Sequence, residues 1–245
     1  MPDLDDQAIS KVAEVGIKSQ LDEVKNLNVA IDIDPLKVIA GTLNSVAIAG
    51  EGMVMKQDLR IESMEFNTGS VAVNPLSLAF GKIELTQSTE AEAIVTLTEV
   101  DINRAFRSDF VRSKMQNLNL EVEVDGETAT VDTEKISFGL PGDGKVRLST
   151  EVVLQNSQER KIVAFTAVPK ISPDGQRVVL EDVEYLDHQE LPPAFTEAML
   201  DEAKELLDLK NFEVGDMSLQ IKRLAALKGK LILQSEAIVH QFPSS

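Results

Sequence analysis

The 245-residue sequence has no cysteine, no tryptophan, one tyrosine and two histidines. Without cysteine there are no disulfides, thiolate nucleophiles, redox pairs or zinc–thiolate sites. His188 and His240 lie far apart in sequence, and neither has a second His at helical ligand spacing, so a histidine-built metal or acid–base centre is not expected. Basic residues are also scarce: 24 Lys and Arg against 41 Asp and Glu leave a net charge of -17. That sign excludes a general nucleic-acid binder, which needs a basic surface. No apolar run approaches the ~20 residues of a membrane-spanning helix; Val71 to Phe80 is interrupted by Asn74, Pro75 and Ser77. The start, Met1-Pro2-Asp3-Leu4-Asp5-Asp6, is acidic where an export signal is basic and then apolar. The expected location is therefore the cytoplasm, at most peripheral to the cytoplasmic face of a membrane.

What is present suits a packed core: 43% of residues are hydrophobic and 27% charged, which argues against wholesale disorder. Apolar residues recur at helical spacing from Asp5 to Lys25 (Ala8, Ile9, Val12, Val15, Gly16, Leu21, Val24), from Glu99 to Gln116 (Ile102, Ala105, Phe106, Phe110) and from Pro193 to Lys210 (Phe195, Met199, Ala203, Leu206, Leu207). Strict alternation predicts strands around Leu118–Val124, Ala91–Leu97, Val146–Val152 and Met217–Ile221, with turns at Asp125-Gly126 and Pro173-Asp174-Gly175. There is no regular strand–helix–strand alternation, so the expected class is α+β: a long antiparallel meander interrupted by three helices.

Each predicted helix ends in a similar junction: Lys25-Asn26-Leu27, Gln116-Asn117-Leu118 and Lys210-Asn211-Phe212. Asn tolerates the left-handed region and can stop a helix before a strand. Later echoes occur at Gly81-Lys82-Ile83, Gly144-Lys145-Val146 and Gly229-Lys230-Leu231, and Asp34-Pro35-Leu36 to Gly41 recurs as Asn74-Pro75-Leu76 to Gly81. Two readings stand: irregular helix-plus-meander repeats beginning near 5, 99 and 193 within one domain spanning 1–245, or chance reuse of Gly, Lys and aliphatics.

Catalytic signatures are weak. Gly139-Leu140-Pro141-Gly142-Asp143-Gly144-Lys145 resembles a phosphate-binding loop, but Val146 replaces the metal-contacting hydroxyl, Pro141 removes an amide and a strand pattern follows. A turn between strands is the favoured reading. Gly50-Glu51-Gly52 lacks the third glycine of a dinucleotide loop and reads as a bulge or turn. No Gly-x-Ser-x-Gly occurs, and no carboxylate pair stands out. Neither an enzyme nor a metal or organic cofactor is expected.

Charge and aliphatic distribution carry more. Arg104, Arg107, Arg112 and Lys114 cluster in one acid-poor segment, and Lys222, Arg223, Lys228 and Lys230 in another. Each is either a weak contact for anionic lipid headgroups or a solvated surface whose lysines discourage aggregation. Met53, Met55 and Met64 lie close in sequence to Phe66, and flexible thioethers suit an adaptable ligand wall as well as an ordinary core.

Two longer runs carry a family resemblance. These are Gly41-Thr42-Leu43-Asn44-Ser45-Val46-Ala47-Ile48-Ala49-Gly50-Glu51-Gly52 with Leu59 and Ile61, and Ala91-Glu92-Ala93-Ile94-Val95-Thr96-Leu97-Thr98-Glu99-Val100-Asp101-Ile102-Asn103-Arg104. They resemble the bacterial LmeA-like phospholipid-binding family, whose fold is similar to the tubular lipid-binding (TULIP) superfamily. The resemblance implies an elongated, strongly curved antiparallel sheet wrapped around amphipathic helices, enclosing an apolar groove for phospholipid or another fatty acyl ligand. It supplies no catalytic residue. The lining expected from residue size and element is Met53, Met55, Met64, Phe66, Phe80, Phe106, Phe110, Phe195 and Met199. The alternative function is a non-catalytic protein–protein interaction or scaffold module at a membrane surface; an enzyme acting on lipid or glycan ranks third.

Overall fold

In the computed structural model of the chain, residues 6–55, 58–79, 82–115, 118–124, 127–155, 157–186 and 216–242 are described. The predicted helix at Pro193–Lys210, the Asn117 and Asn211 junctions, the Asp125-Gly126 turn, Phe80, Phe195, Met199 and His188 lie outside them. The class is α+β with antiparallel sheets, as the alternation patterns require. The chain divides into two compact units, Met1–Leu97 with Phe212–Arg223 and Leu233–Ser245, and Thr98–Asn211 with Leu224–Ile232.

The first unit is organised by a six-stranded sheet in the order β1 (Asn26–Asp32), β3 (Ser45–Met55), β4 (Leu59–Thr68), β6 (Thr89–Thr98), β13 (Lys230–Gln241) and β12 (Asp216–Leu227), to which the last two strands contribute Leu233–Gln241 and Asp216–Arg223. On β1, Leu27, Val29 and Ile31 are buried while Asn26, Asn28, Ala30 and Asp32 face out, the period-two signature of a half-buried strand. Helix α1 (Asp6–Lys18) packs on this edge strand through Ile9, Ala13 and Ile17. Its Ser10 hydroxyl accepts the Ile31 N–H at 3.0 Å, covering part of an otherwise open sheet edge.

The predicted helix from Asp5 to Lys25 is thus seven residues too long, since it stops at Lys18. Beyond it, Asp22 N and Glu23 O bond Val54 at 2.8 Å each, so sheet-edge pairing takes the chain before the helix can continue. Leu21 and Val24 still pack on the core. Asn26 begins β1 and donates to Glu51 at 2.9 Å, rather than ending the helix in the left-handed region. Val12 and Val15 fall outside the buried stripe and are exposed; Val15 lies about 160° from the stripe's centre at 3.6 residues per turn.

Two short helices sit beside each other at the small sheet formed by β2 (Thr42–Leu43) and β5 (Val71–Ala72). Helix α2 (Pro35–Ile39) is capped by Asp34, whose carboxylate accepts Leu36 N at 2.9 Å. In α3 (Pro75–Ala79), Asn74 Oδ1 accepts Leu76 N at 3.0 Å. The recurrence of Asp34-Pro35-Leu36 as Asn74-Pro75-Leu76 is therefore also a structural one. Gly41 closes α2 at φ +80, and a Cβ there would lie 2.8 Å from Val73 O and 3.5 Å from Pro75 Cγ. Only glycine lets the two turns approach this closely.

The second unit is a meander, β11 (Val178–Tyr185), β10 (Arg160–Ile171), β9 (Lys145–Leu154), β8 (Glu127–Gly142) and β7 (Leu118–Val124), around Val131, Leu140, Val146, Val152, Val163 and Phe165. The predicted Pro173-Asp174-Gly175 turn joins β10 to β11. The helix predicted from Glu99 to Gln116 is two helices, α4 (Glu99–Arg107) and α5 (Asp109–Lys114). Ser108 divides them: its backbone is extended, and its hydroxyl accepts Val111 N at 3.3 Å to cap α5. Thr98 and buried Asp101 form a reciprocal capping box at the start of α4.

Helix α4 also completes a strand edge. Asn103 accepts from Phe138 N at 2.9 Å and donates to Phe138 O at 2.7 Å, while Glu99 Oε2 accepts Leu140 N at 2.7 Å. Residues four apart on a helix rise about 6 Å, close to the roughly 6.7 Å between alternate residues of a strand. Glu99 and Asn103 can therefore stand in for a neighbouring strand along β8.

Candidate functional site

The apolar face of the six-stranded sheet is built in rows. Leu27 pairs with Gly50, Gly50 with Met64 and Met64 with Val95; the adjacent row runs Val29, Ile48, Phe66, Ala93. Gly50 leaves a gap in the first row, and Met53 fills it. A Cβ at Gly50 would overlap Met53 Sδ and lie 3.0 Å from its Cγ. Of the bulge-or-turn reading of Gly50-Glu51-Gly52, the turn is corrected: both glycines lie within β3, where Gly52 takes φ +57.

Met53 is 3% exposed and belongs to the cluster of Leu27, Val29, Ile31, Val46 and Ile9; Met64 packs against the same cluster. Phe66 belongs to a neighbouring cluster with Ala91, Ala93, Ala237 and Val239, and Ile48, Leu85 and Phe242 pack against both. Met55 is half-buried opposite Leu59. Sequence proximity thus brings Met53, Met64 and Phe66 onto adjoining apolar ground. Phe106 and Phe110 are half-buried in the second unit, Phe106 standing 6.3 Å from Phe138 between ring centroids.

An open depression of about 520 Å³ lies where β3 passes the chain leaving α1, lined by Glu23, Val24, Lys25, Gly52 and Arg60. A Cβ at Gly52 would come within 3.0 Å of Lys25 Cβ, so glycine keeps its floor open. Arg60 Nη1 is held by Glu62 at 2.8 Å.

The basic candidates divide by environment. Arg104 is half-buried and Arg107 and Arg112 exposed on α4 and α5, while the side chain of Lys114 is not described. Lys222, Arg223, Lys228 and Lys230 are exposed on β12, the turn and β13. Lys222 is paired with Glu236 at 2.9 Å, and Lys228 lies against Gly142, where a Cβ would be 3.6 Å from Lys228 Cβ.

The phosphate-loop-like segment is the β8–β9 hairpin turn, with Gly142 paired to Lys145. Lys145 bonds Glu184 at 2.7 Å, and this bond holds the Glu184 carboxyl below its ordinary pKa. Gly229 N donates to Leu140 O at 3.0 Å, so the turn is fastened to the Leu227–Lys230 hairpin. Such a lysine has a carboxylate partner and no helix N-terminus to share a phosphate with. His240 accompanies Ser88 at 2.8 Å on an exposed surface. Among the described residues no group of three or more His, Asp or Glu could hold a metal, and no helix is long and apolar enough to cross a membrane.

Sequence reasoning missed Gly50 as the floor under Met53, and it missed the outward Leu36, Ile39 and Leu76 of the two short helices. For Leu36 and Leu76 the recurrent Asx-Pro-Leu was the available signal; for Gly50 there was none, because the filling residue reaches back from three positions downstream.

The model of the LmeA-like phospholipid-binding family matches residues 6–236 of the chain. No curated protein and no solved structure matches it.

Proposed function

The chain belongs to the LmeA-like phospholipid-binding family, and from that premise we propose that it seats a phospholipid acyl chain against the apolar face of the first unit, with Met53 and Met64 as a movable wall. The observation that carries this reading is the gap at Gly50, filled by the unbranched thioether of Met53 rather than by a rigid side chain. In this reading Met53 swings aside and an acyl chain takes its place above Gly50, beside Met64 and the Ile48–Phe66 row. Burial contributes ~0.8 kcal/mol per methylene, so about ten methylenes supply roughly 8 kcal/mol, the scale of micromolar affinity before the cost of displacing Met53.

The role is binding, with transfer or sensing as its outcome, and no bond is made or broken. The matched residues run through both compact units, which supports treating the whole chain as one lipid-binding module. Native mass spectrometry of the purified protein should show adducts of phospholipid mass that leave on collisional activation. Uniformly ligand-free protein that also fails to take up added phosphatidylglycerol would overturn the reading.

The exposed cations Arg107, Arg112, Lys222, Arg223, Lys228 and Lys230, with Arg104 and Lys114, supply a weak attraction to anionic headgroups. Each contributes ~1 kcal/mol near such a surface and fades within ~8 Å, and the excess of acids opposes it. Replacing Lys222, Arg223, Lys228 and Lys230 by Gln should lower co-sedimentation with anionic vesicles at low salt and leave binding of a soluble fluorescent fatty acid unchanged. Equal sedimentation by the variant would reduce these residues to a solvated surface.

A further inference from the structure

We propose that the adjoining α2 and α3 turns form a membrane-docking tip, with Leu36, Ile39 and Leu76 entering the interfacial layer of a phospholipid bilayer. Leu36 is 81% exposed, Ile39 65% and Leu76 74%, among the largest exposures of any aliphatic side chain described. The two helices are built alike. Each begins at Asx-Pro with a side-chain cap on the leucine amide, and each buries one aliphatic two residues later, Val38 at 4% and Leu78 at 1% exposed, in one shared cluster. That anchor leaves the preceding leucine facing out in both.

The turns are held together by the Thr42–Ala72 and Leu43–Val71 pairs, by Val73 N donating to Gly41 O at 2.8 Å, and by the approach of Gly41 to Pro75. The exposed leucines therefore belong to one rigid tip rather than to two independent loops. Three exposed aliphatics on paired turns form a contact patch, whereas scattered ones need no explanation.

Charge selects the occupant. In a chain of net charge -17, the stretches from Pro35 to Gly41 and from Pro75 to Ile83 hold no acid and one lysine each, Lys37 and Lys82, both exposed. The acids at their base are engaged in local hydrogen bonds: half-buried Asp34 caps α2, and exposed Glu84 accepts from Asn74 Nδ2 at 3.2 Å and from the Ser77 hydroxyl. An apolar patch flanked by two exposed lysines, with the acids at its base already hydrogen-bonded, suits the boundary between acyl chains and anionic headgroups. Three side chains are too few for a stable protein interface, which needs roughly 800 Å² from each partner. The choice of a phospholipid surface rests on the phospholipid-binding reading; the tip itself does not depend on where an acyl chain is seated.

The test is co-sedimentation of the full chain with phosphatidylcholine–phosphatidylglycerol vesicles in salt high enough to screen the cations. The combined Leu36→Ser, Ile39→Ser, Leu76→Ser variant should lose binding by about tenfold or more, since three aliphatic contacts with the bilayer are removed. The control Val100→Ser with Ile162→Ser, at other exposed aliphatics, should sediment as the parent does. Because the chain has no cysteine, a single Leu76→Cys carrying an environment-sensitive fluorophore should shift to the blue on vesicles, and Ile162→Cys should not. Parent-like sedimentation of the triple variant, no parent binding, or an unshifted Leu76 label overturns the docking tip. Tip-dependent sedimentation without uptake of a soluble fatty acid probe leaves the tip standing and removes the acyl-chain reading. Probe uptake with tip-independent sedimentation does the reverse.

Discussion

Replacing Asn103 by Leu is expected to destabilise the second unit by about 2 kcal/mol, seen as a melting temperature lower by roughly 4–8 °C for a chain of this size. The side chain serves Phe138 twice, taking its N–H and giving to its C=O, and it also donates to Glu99 O at 2.8 Å. Leucine keeps the volume but leaves two backbone groups of β8 without those partners, next to buried Leu140. The effect should appear in chemical denaturation as an earlier transition, with far-ultraviolet circular dichroism unchanged beforehand. Arg107→Ala, an exposed change on the same helix, should stay within ~0.5 kcal/mol of the parent. A loss at Asn103 no larger than at Arg107 would show that solvent satisfies Phe138 and that α4 does not act as its missing neighbour.

Met64→Asp should weaken binding of a fluorescent fatty acid by about 10–100-fold, the largest functional effect expected from one substitution. Met64 pairs with Gly50 and Val95 and packs on the cluster that holds Met53. A carboxylate there faces apolar neighbours when an acyl chain excludes water, at a cost of several kcal/mol that protonation only partly relieves. Met64 is half-buried, so the free protein can hydrate the charge and remain folded, which a melting curve checks. Glu159→Ala, at an exposed site in the other unit, supplies the comparison. If folded Met64→Asp binds the probe as tightly as Glu159→Ala does, the acyl site lies elsewhere.

The strands around Ala91–Leu97, Leu118–Val124, Val146–Val152 and Met217–Ile221 were legible because a half-buried strand must alternate, whatever covers it. The helices were legible only in part. Periodicity locates a helix but does not end it: α1 stops at Lys18 because the edge of β3 captures Asp22 and Glu23, and Ser108 breaks the α4–α5 pattern by capping the second helix itself. The methionine cluster was visible as residues close in sequence, whereas the fact that Met53 fills the space above Gly50 depends on the local course of β3.

By itself the sequence determined the α+β class, the acidic balance, the absence of thiol chemistry and the recurrence of Asx-Pro-Leu, all consequences of residue type and local spacing. The tertiary structure decided which surfaces those local elements expose. Leu36 and Val38 are both aliphatic and two residues apart, yet one is 81% exposed and the other 4%. The helical turn rotates them to different sides, and only the cluster of Leu43, Val71, Val73 and Leu78 determines which side is buried. The same holds for Asn103, a polar residue with no special signal until β8 brings Phe138 alongside it. Burial is a property of two surfaces brought together, and a periodic pattern describes just one of them.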